Sequence, residues 1–124
     1  MSDSEKNLFV GVNEPADVDN PSDLEKKHTP VIDAPDEVKA GECLAVTVEV
    51  GKLLAHPNDH DHFIQFVELY ADETFLARGS LTSVKSCPKM TFCIALKGSA
   101  EELRAYCHCN MHGTWVGRKA VKIS

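Results

Sequence analysis

The chain has 124 residues, enough for one domain with a sizeable core, and a formal net charge of −6. All of that excess lies in residues 1–25, where seven acids (Asp3, Glu5, Glu14, Asp17, Asp19, Asp23 and Glu25) face Lys6 alone; twelve acids and twelve Lys and Arg balance over the rest. The balance argues against a nucleic-acid surface, which needs a basic stripe, and no run approaches the roughly 18 apolar residues of a membrane helix.

Residues 1–24, with Pro15 and Pro21, read as an acidic, solvated N-terminal arm preceding a domain over 25–124. Leu8-Phe9-Val10 gives the arm one apolar anchor, able to pack on the body or on a neighbouring subunit. No signal-peptide core is visible, so a cytoplasmic protein is expected. Five cysteines without a secretory signal do not suggest a disulfide framework. Cys43, Cys87, Cys93 and Cys107 read as small core or near-surface thiols.

The first strand pattern is CLAVTVEV, Cys43 to Val50, with Leu44, Val46, Val48 and Val50 on one face against Thr47 and Glu49. His62 to Ala71 is a second strand, with Phe63, Val67 and Leu69 expected opposite Ile64 and Phe66. Thr74–Ser80 and Leu81–Lys85 read as shorter strands. Met90–Lys97 alternates Met90, Phe92, Ile94 and Leu96 against Thr91, Cys93 and Lys97. Leu103–Cys107 and Ala120–Ile123 complete the set. Helix-like spacing appears only around Ala100–Glu102, a turn at most. About seven short strands with regular turn signals predict an all-β, antiparallel β-sandwich.

The six histidines occupy three stretches at strand boundaries: His28 in EKKHTP, His56, His60 and His62 in HPNDHDHF, His108 and His112 in CHCNMHG. Singly, each is a weak signal. Together they describe loops that gather nitrogen donors at one end of a sandwich, where they gain little unless they meet an ion. Cys109 to His112 fits a tight turn in which thiolate and imidazole face one ion and the following backbone N–H groups bond the sulfur. Gly113 permits the backbone that ends such a turn. Cys107 and Cys109 share a face of an extended chain, which turns His108 away. His56-Pro57 starts its loop extended; His62 begins the next strand, and His60 sits mid-loop.

The stretches KHTP, HPNDHDHFI and CNMHG resemble the superoxide reductase family, the neelaredoxins and the catalytic domains of desulfoferrodoxins, over about residues 24–124. The resemblance implies an immunoglobulin-like β-sandwich holding one mononuclear, non-haem iron. His28, His56, His62 and His112 would be equatorial ligands and Cys109 the axial thiolate, with the sixth position open; His60 and His108 fall outside the ligand pattern. It implies one-electron reduction of superoxide to hydrogen peroxide, with re-reduction by rubredoxin or a similar electron carrier, and a homo-oligomer, tetramer favoured over dimer. The first cysteine is Cys43, so a second, N-terminal Cys-rich iron centre is not expected. Lys27 matches the family's active-site lysine, which would attract the anionic substrate and hold a proton-delivering water.

One departure stands out. Lys26 occupies the position of a family glutamate that often fills the sixth site of ferric iron. Glu25 would point elsewhere on an extended strand, so water, hydroxide or nothing is expected there. Two other readings compete. A structural zinc module is disfavoured because four His and one Cys over-fill zinc's tetrahedral preference. A pure electron carrier needs neither an open position nor Lys27.

Overall fold

The computed structural model describes residues 7–124; the first six residues of the acidic arm lie outside the described ones. In chain order the elements are β1 (Val12–Asn13), α1 (Asp23–His28), β2 (Val31–Asp33), β3 (Glu37–Val38), β4 (Cys43–Glu49), β5 (Ile64–Ala71), β6 (Thr74–Ser80), β7 (Lys89–Ala95), β8 (Glu102–Cys109), β9 (Gly113–Ala120) and β10 (Lys122–Ile123). A five-stranded sheet runs β1-β9-β8-β5-β6, a three-stranded sheet β2-β4-β7, and β10 pairs with β3. The long ladders are antiparallel.

The core lies between the two larger sheets and follows the alternation in the sequence. Val46 and Val48 of β4 and Ile94 of β7 meet Val67 and Leu69 of β5 and Leu103, Ala105 and Cys107 of β8. Burying each Val, Leu or Ile side chain of these rows stabilises by on the order of 2 kcal/mol, so the facing rows hold the sheets together. The all-β sandwich expected from the sequence is what forms.

Several details differ from the sequence reading. The eight-residue strand β9 and the short β2 and β3 were not read as strands at all; the last strand was expected at Ala120–Ile123, but β10 spans only Lys122–Ile123. Leu81–Lys85 is not a strand: the chain turns there, with Val84 at φ 68°. A six-residue helix, α1, forms where no helix was expected; Ala100–Glu102, read as a turn at most, is no helix. The two-residue strands β1 and β10 pair in parallel, with β9 and β3. Finally, the β5–β8 register shifts between Ile64 and Phe66, so strict alternation fails there. Ile64 therefore points inward with Val67 and Leu69, not opposite them, while Phe66 turns to the outer face.

Candidate metal centre

Three segments carry the histidines to one end of the sandwich, and each has a local reason for its shape. The helix α1 starts on a capping box: the Ser22 hydroxyl accepts from the Glu25 N–H at 3.2 Å, and Glu25 Oε1 accepts from the Ser22 N–H at 2.7 Å. Oε2 accepts from the Ala16 N–H at 3.1 Å, and Glu25 is 7 % exposed. Both carboxylate oxygens are thus engaged away from the histidines. This corrects the expected extended strand at Glu25: a helix, not strand parity, turns it away. The same helix sends Lys27 and His28 onward, and His28 is 1 % exposed.

The His56–His62 loop and the Cys109–His112 turn are clasped by two asparagines. Asn58 Oδ1 accepts from the Val84 N–H at 2.8 Å while Nδ2 donates to the Ser86 carbonyl at 3.1 Å. Asn110 Oδ1 accepts from the Phe63 N–H at 2.9 Å, and its Nδ2 donates to the Asp61 carbonyl at 2.8 Å. Asn110 therefore ties the cysteine turn to the residues flanking His62. Both asparagines lie in the quoted motifs, yet the sequence reading gave them no role. Trp115 was also missed: its ring stacks on His28 at 5.1 Å and its Nε1 donates to the His112 carbonyl at 3.0 Å.

The four imidazoles form a closed circuit. Ring centroids lie 4.7 Å apart for His28–His56, 4.8 Å for His56–His62, 5.0 Å for His62–His112 and 4.9 Å for His112–His28. One donor atom from each of His28, His62, Cys109 and His112 falls within 4.8 Å of all the others. His56 joins through Nε2, 3.2 Å from His28 Nε2 and 3.3 Å from Cys109 Sγ. His108 faces outward, stacked on Phe66 at 5.5 Å with its Nδ1 2.9 Å from the Thr114 hydroxyl; His60 is exposed to solvent. Cys107 points inward but donates its thiol to the His28 carbonyl at 3.1 Å.

Protonation decides what this cluster wants. His28 Nδ1 lies 2.8 Å from the Leu24 carbonyl, and His56 Nδ1 lies 2.6 Å from the Pro57 carbonyl. A carbonyl only accepts, so both Nδ1 atoms carry hydrogen and both Nε2 atoms present lone pairs in the neutral rings. Burial, above all, lowers the pKa of each ring to about 4, despite those hydrogen bonds; mutual repulsion adds to the effect, including that of Lys27 on His56. His112 is lowered by burial, then by His62 and Lys27. At neutral pH two lone pairs therefore face each other across 3.2 Å. The buried Nε2 of His62 has no hydrogen-bond partner.

Such an orphaned, lone-pair-rich cluster is costly unless a cation sits among the donors. Four imidazoles and a thiol suit a first-row transition metal and not magnesium or calcium. Burial raises the Cys109 thiol pKa, while the N–H groups of Met111 and His112, bonded to the sulfur, pull it down. Those N–H donors favour the thiolate that metal binding requires. The residues thus fit a metal.

Over residues 20–118 the chain matches the model of the Desulfoferrodoxin family. It is 33% identical to a neelaredoxin from Megalodesulfovibrio gigas over 116 residues, which cover 79% of this chain and 88% of the relative. With a superoxide reductase from Pyrococcus abyssi it shares 35% identity over 99 residues, 73% of this chain and 83% of the relative. Among solved structures, a variant of the superoxide reductase (neelaredoxin) from Ignicoccus hospitalis superposes with a TM-score of 0.72 at 37% identity, covering 80% of this chain and 82% of that one.

Proposed function

The chain belongs to the desulfoferrodoxin family, and from that membership and the imidazole–thiolate cluster we propose how it works as a superoxide reductase. The observation that carries the reading is the meeting of four imidazole rings and the Cys109 sulfur around one point, with His28 and His56 lone pairs facing each other and His62 Nε2 unpartnered. His28, His56, His62, His112 and Cys109 would hold one iron per chain. When bound, iron supplies the single electron that superoxide takes up, cycling between its ferrous and ferric states.

The chain's own residues do the rest. The Nδ1–H groups of His28 and His56, held by the Leu24 and Pro57 carbonyls, fix both rings with Nε2 toward the ion. The N–H groups of Met111 and His112 moderate the electron density that Cys109 donates. The charge of half-buried Lys27, felt by His56 and His112, draws an anionic substrate to the mouth and can hold a proton-donating water. Superoxide, one electron and two protons then leave as hydrogen peroxide.

Lys26 cannot replace the family's ferric ligand, and Glu25 is committed to α1 and Ala16. Neither Lys26 nor Glu25 would therefore supply a carboxylate to a bound ferric iron, and that place would be left to water or hydroxide, or empty. On this reading the acidic arm over 1–24 serves a catalytic domain over 25–124, and the site is re-reduced by rubredoxin or a similar carrier. We place it in the cytoplasm as a homo-oligomer, tetramer before dimer; no helix among the described residues is long and apolar enough to cross a membrane.

Metal analysis and pulse radiolysis test the reading together. It expects one iron per chain and rapid oxidation of the ferrous protein by superoxide, with peroxide released. Zinc in place of iron, or iron that ignores superoxide while still exchanging electrons with a carrier, would overturn it.

A further inference from the structure

The arm touches the candidate site at two points, and one side chain closes the connection. β1 lies parallel to the start of β9, with Val12 opposite Thr114 and Asn13 opposite Trp115. The Asn13 carboxamide spends both of its hydrogens here: Nδ2 donates to the Leu8 carbonyl at 2.7 Å and to the Thr114 carbonyl at 2.9 Å. The Leu8 carbonyl sits against Gly113, at φ 81°, where any Cβ would collide with it. Gly113 follows His112 directly. Three residues beyond Asn13, the Ala16 N–H is held by Glu25, on the helix that carries Lys27 and His28. Residues 8–16 thus span from the cysteine–histidine turn to the histidine helix.

We propose that Asn13 is a positioning residue for the metal centre, fixing the 109–113 turn through Leu8 and Thr114 and, with Glu25, setting its distance from α1. The inference rests on reading Cys109–His112 as the ligand turn. It gives the polar arm a role that its composition did not suggest. The donors matter and not the bulk, because two carbonyls converge on one amide group. Losing that amide takes a donor from each carbonyl and loosens the turn whose N–H groups bond the Cys109 sulfur.

Asn13→Asp keeps the shape and removes both donors; Asn13→Ser, which keeps a single donor, is read in its place should Asp not fold. Hydrogen exchange by mass spectrometry on the purified full chain compares a peptide over 107–113 with one over 43–50 in the opposite sheet. We expect exchange at 107–113 to quicken about tenfold with 43–50 unchanged, and the thiolate absorption band of the iron-loaded variant to shift. Glu14→Gln, which breaks only the exposed pair with Arg118 on the same arm, should leave both readouts as in the wild type. Unchanged exchange at 107–113, or the same acceleration in both peptides, would overturn the inference. A wild-type protein without iron would instead sink the superoxide reductase reading and leave the exchange comparison intact.

Discussion

The two large sheets present the same kind of inward row and end it differently. In the three-stranded sheet the row on β4 continues as valine, Val46, Val48 and then Val50 just past the strand, and is packing throughout. In the five-stranded sheet the row on β8 runs Leu103, Ala105, Cys107, Cys109, with the side chains between them less buried. It passes from hydrocarbon to thiol without a break in parity. The candidate metal centre is therefore the end of a core row, and the alternation that packs the sandwich also aims Cys109 at the imidazoles. Cys107, two residues earlier, shows how local the change is: its sulfur is fully buried and bonded to a carbonyl, and burial drives its pKa far up.

That contrast can be broken at its end first. Cys109→Ala should abolish the thiolate-to-iron absorption and the reaction with superoxide, read by visible spectroscopy and pulse radiolysis. Cys107→Ala should keep both and cost about 1 kcal/mol in denaturant unfolding, since one buried hydrogen bond is lost. A band lost in Cys107→Ala and kept in Cys109→Ala would reverse the assignment. Next, Lys27→Ala should slow the second-order reaction with superoxide about tenfold while leaving iron content and the visible band unchanged, because its part is attraction and not ligation. Higher ionic strength should slow the wild type and leave the variant nearly flat.

The packing end answers differently. Val46→Ala, in the opposite row, should cost about 2 kcal/mol of stability and leave the visible spectrum as it was. Acid sharpens the contrast in metal-free protein. The folded rings of His28 and His56 protonate near pH 4, against 6.5 for the unfolded chain. Between those values the unfolded state binds more protons. Their contribution is thus fully present above 6.5, falls as pH drops toward 4, and is gone below it. Chelator-treated protein should show a lower denaturant midpoint as the pH falls through that window; a flat midpoint contradicts neutral, buried imidazoles. The smallest effect belongs to His108→Ala, which loses one stacked ring on the outer face and should cost about 1 kcal/mol with the band unmoved.

What the sequence disclosed follows the same line. Alternation in Cys43–Val50 and Met90–Lys97 gave the three-stranded sheet's inward faces, because period-two burial is written in every residue. Parity likewise sent His108 away from Cys109. The helix α1 escaped because six residues are too few for a helical period, although Ser22 and Glu25 spell its capping box. The bulge near Gln65 has no marker in the chain, yet it decides that Ile64 faces the core. The asparagine clasps and the Asn13 bridge were equally hidden, since each joins residues far apart in sequence.

Iron-edge X-ray absorption of the purified protein tests the central claim most directly. Five side chains meeting at one ion predict a shell of one sulfur and four imidazole nitrogens. A shell without sulfur, or with two, would contradict it.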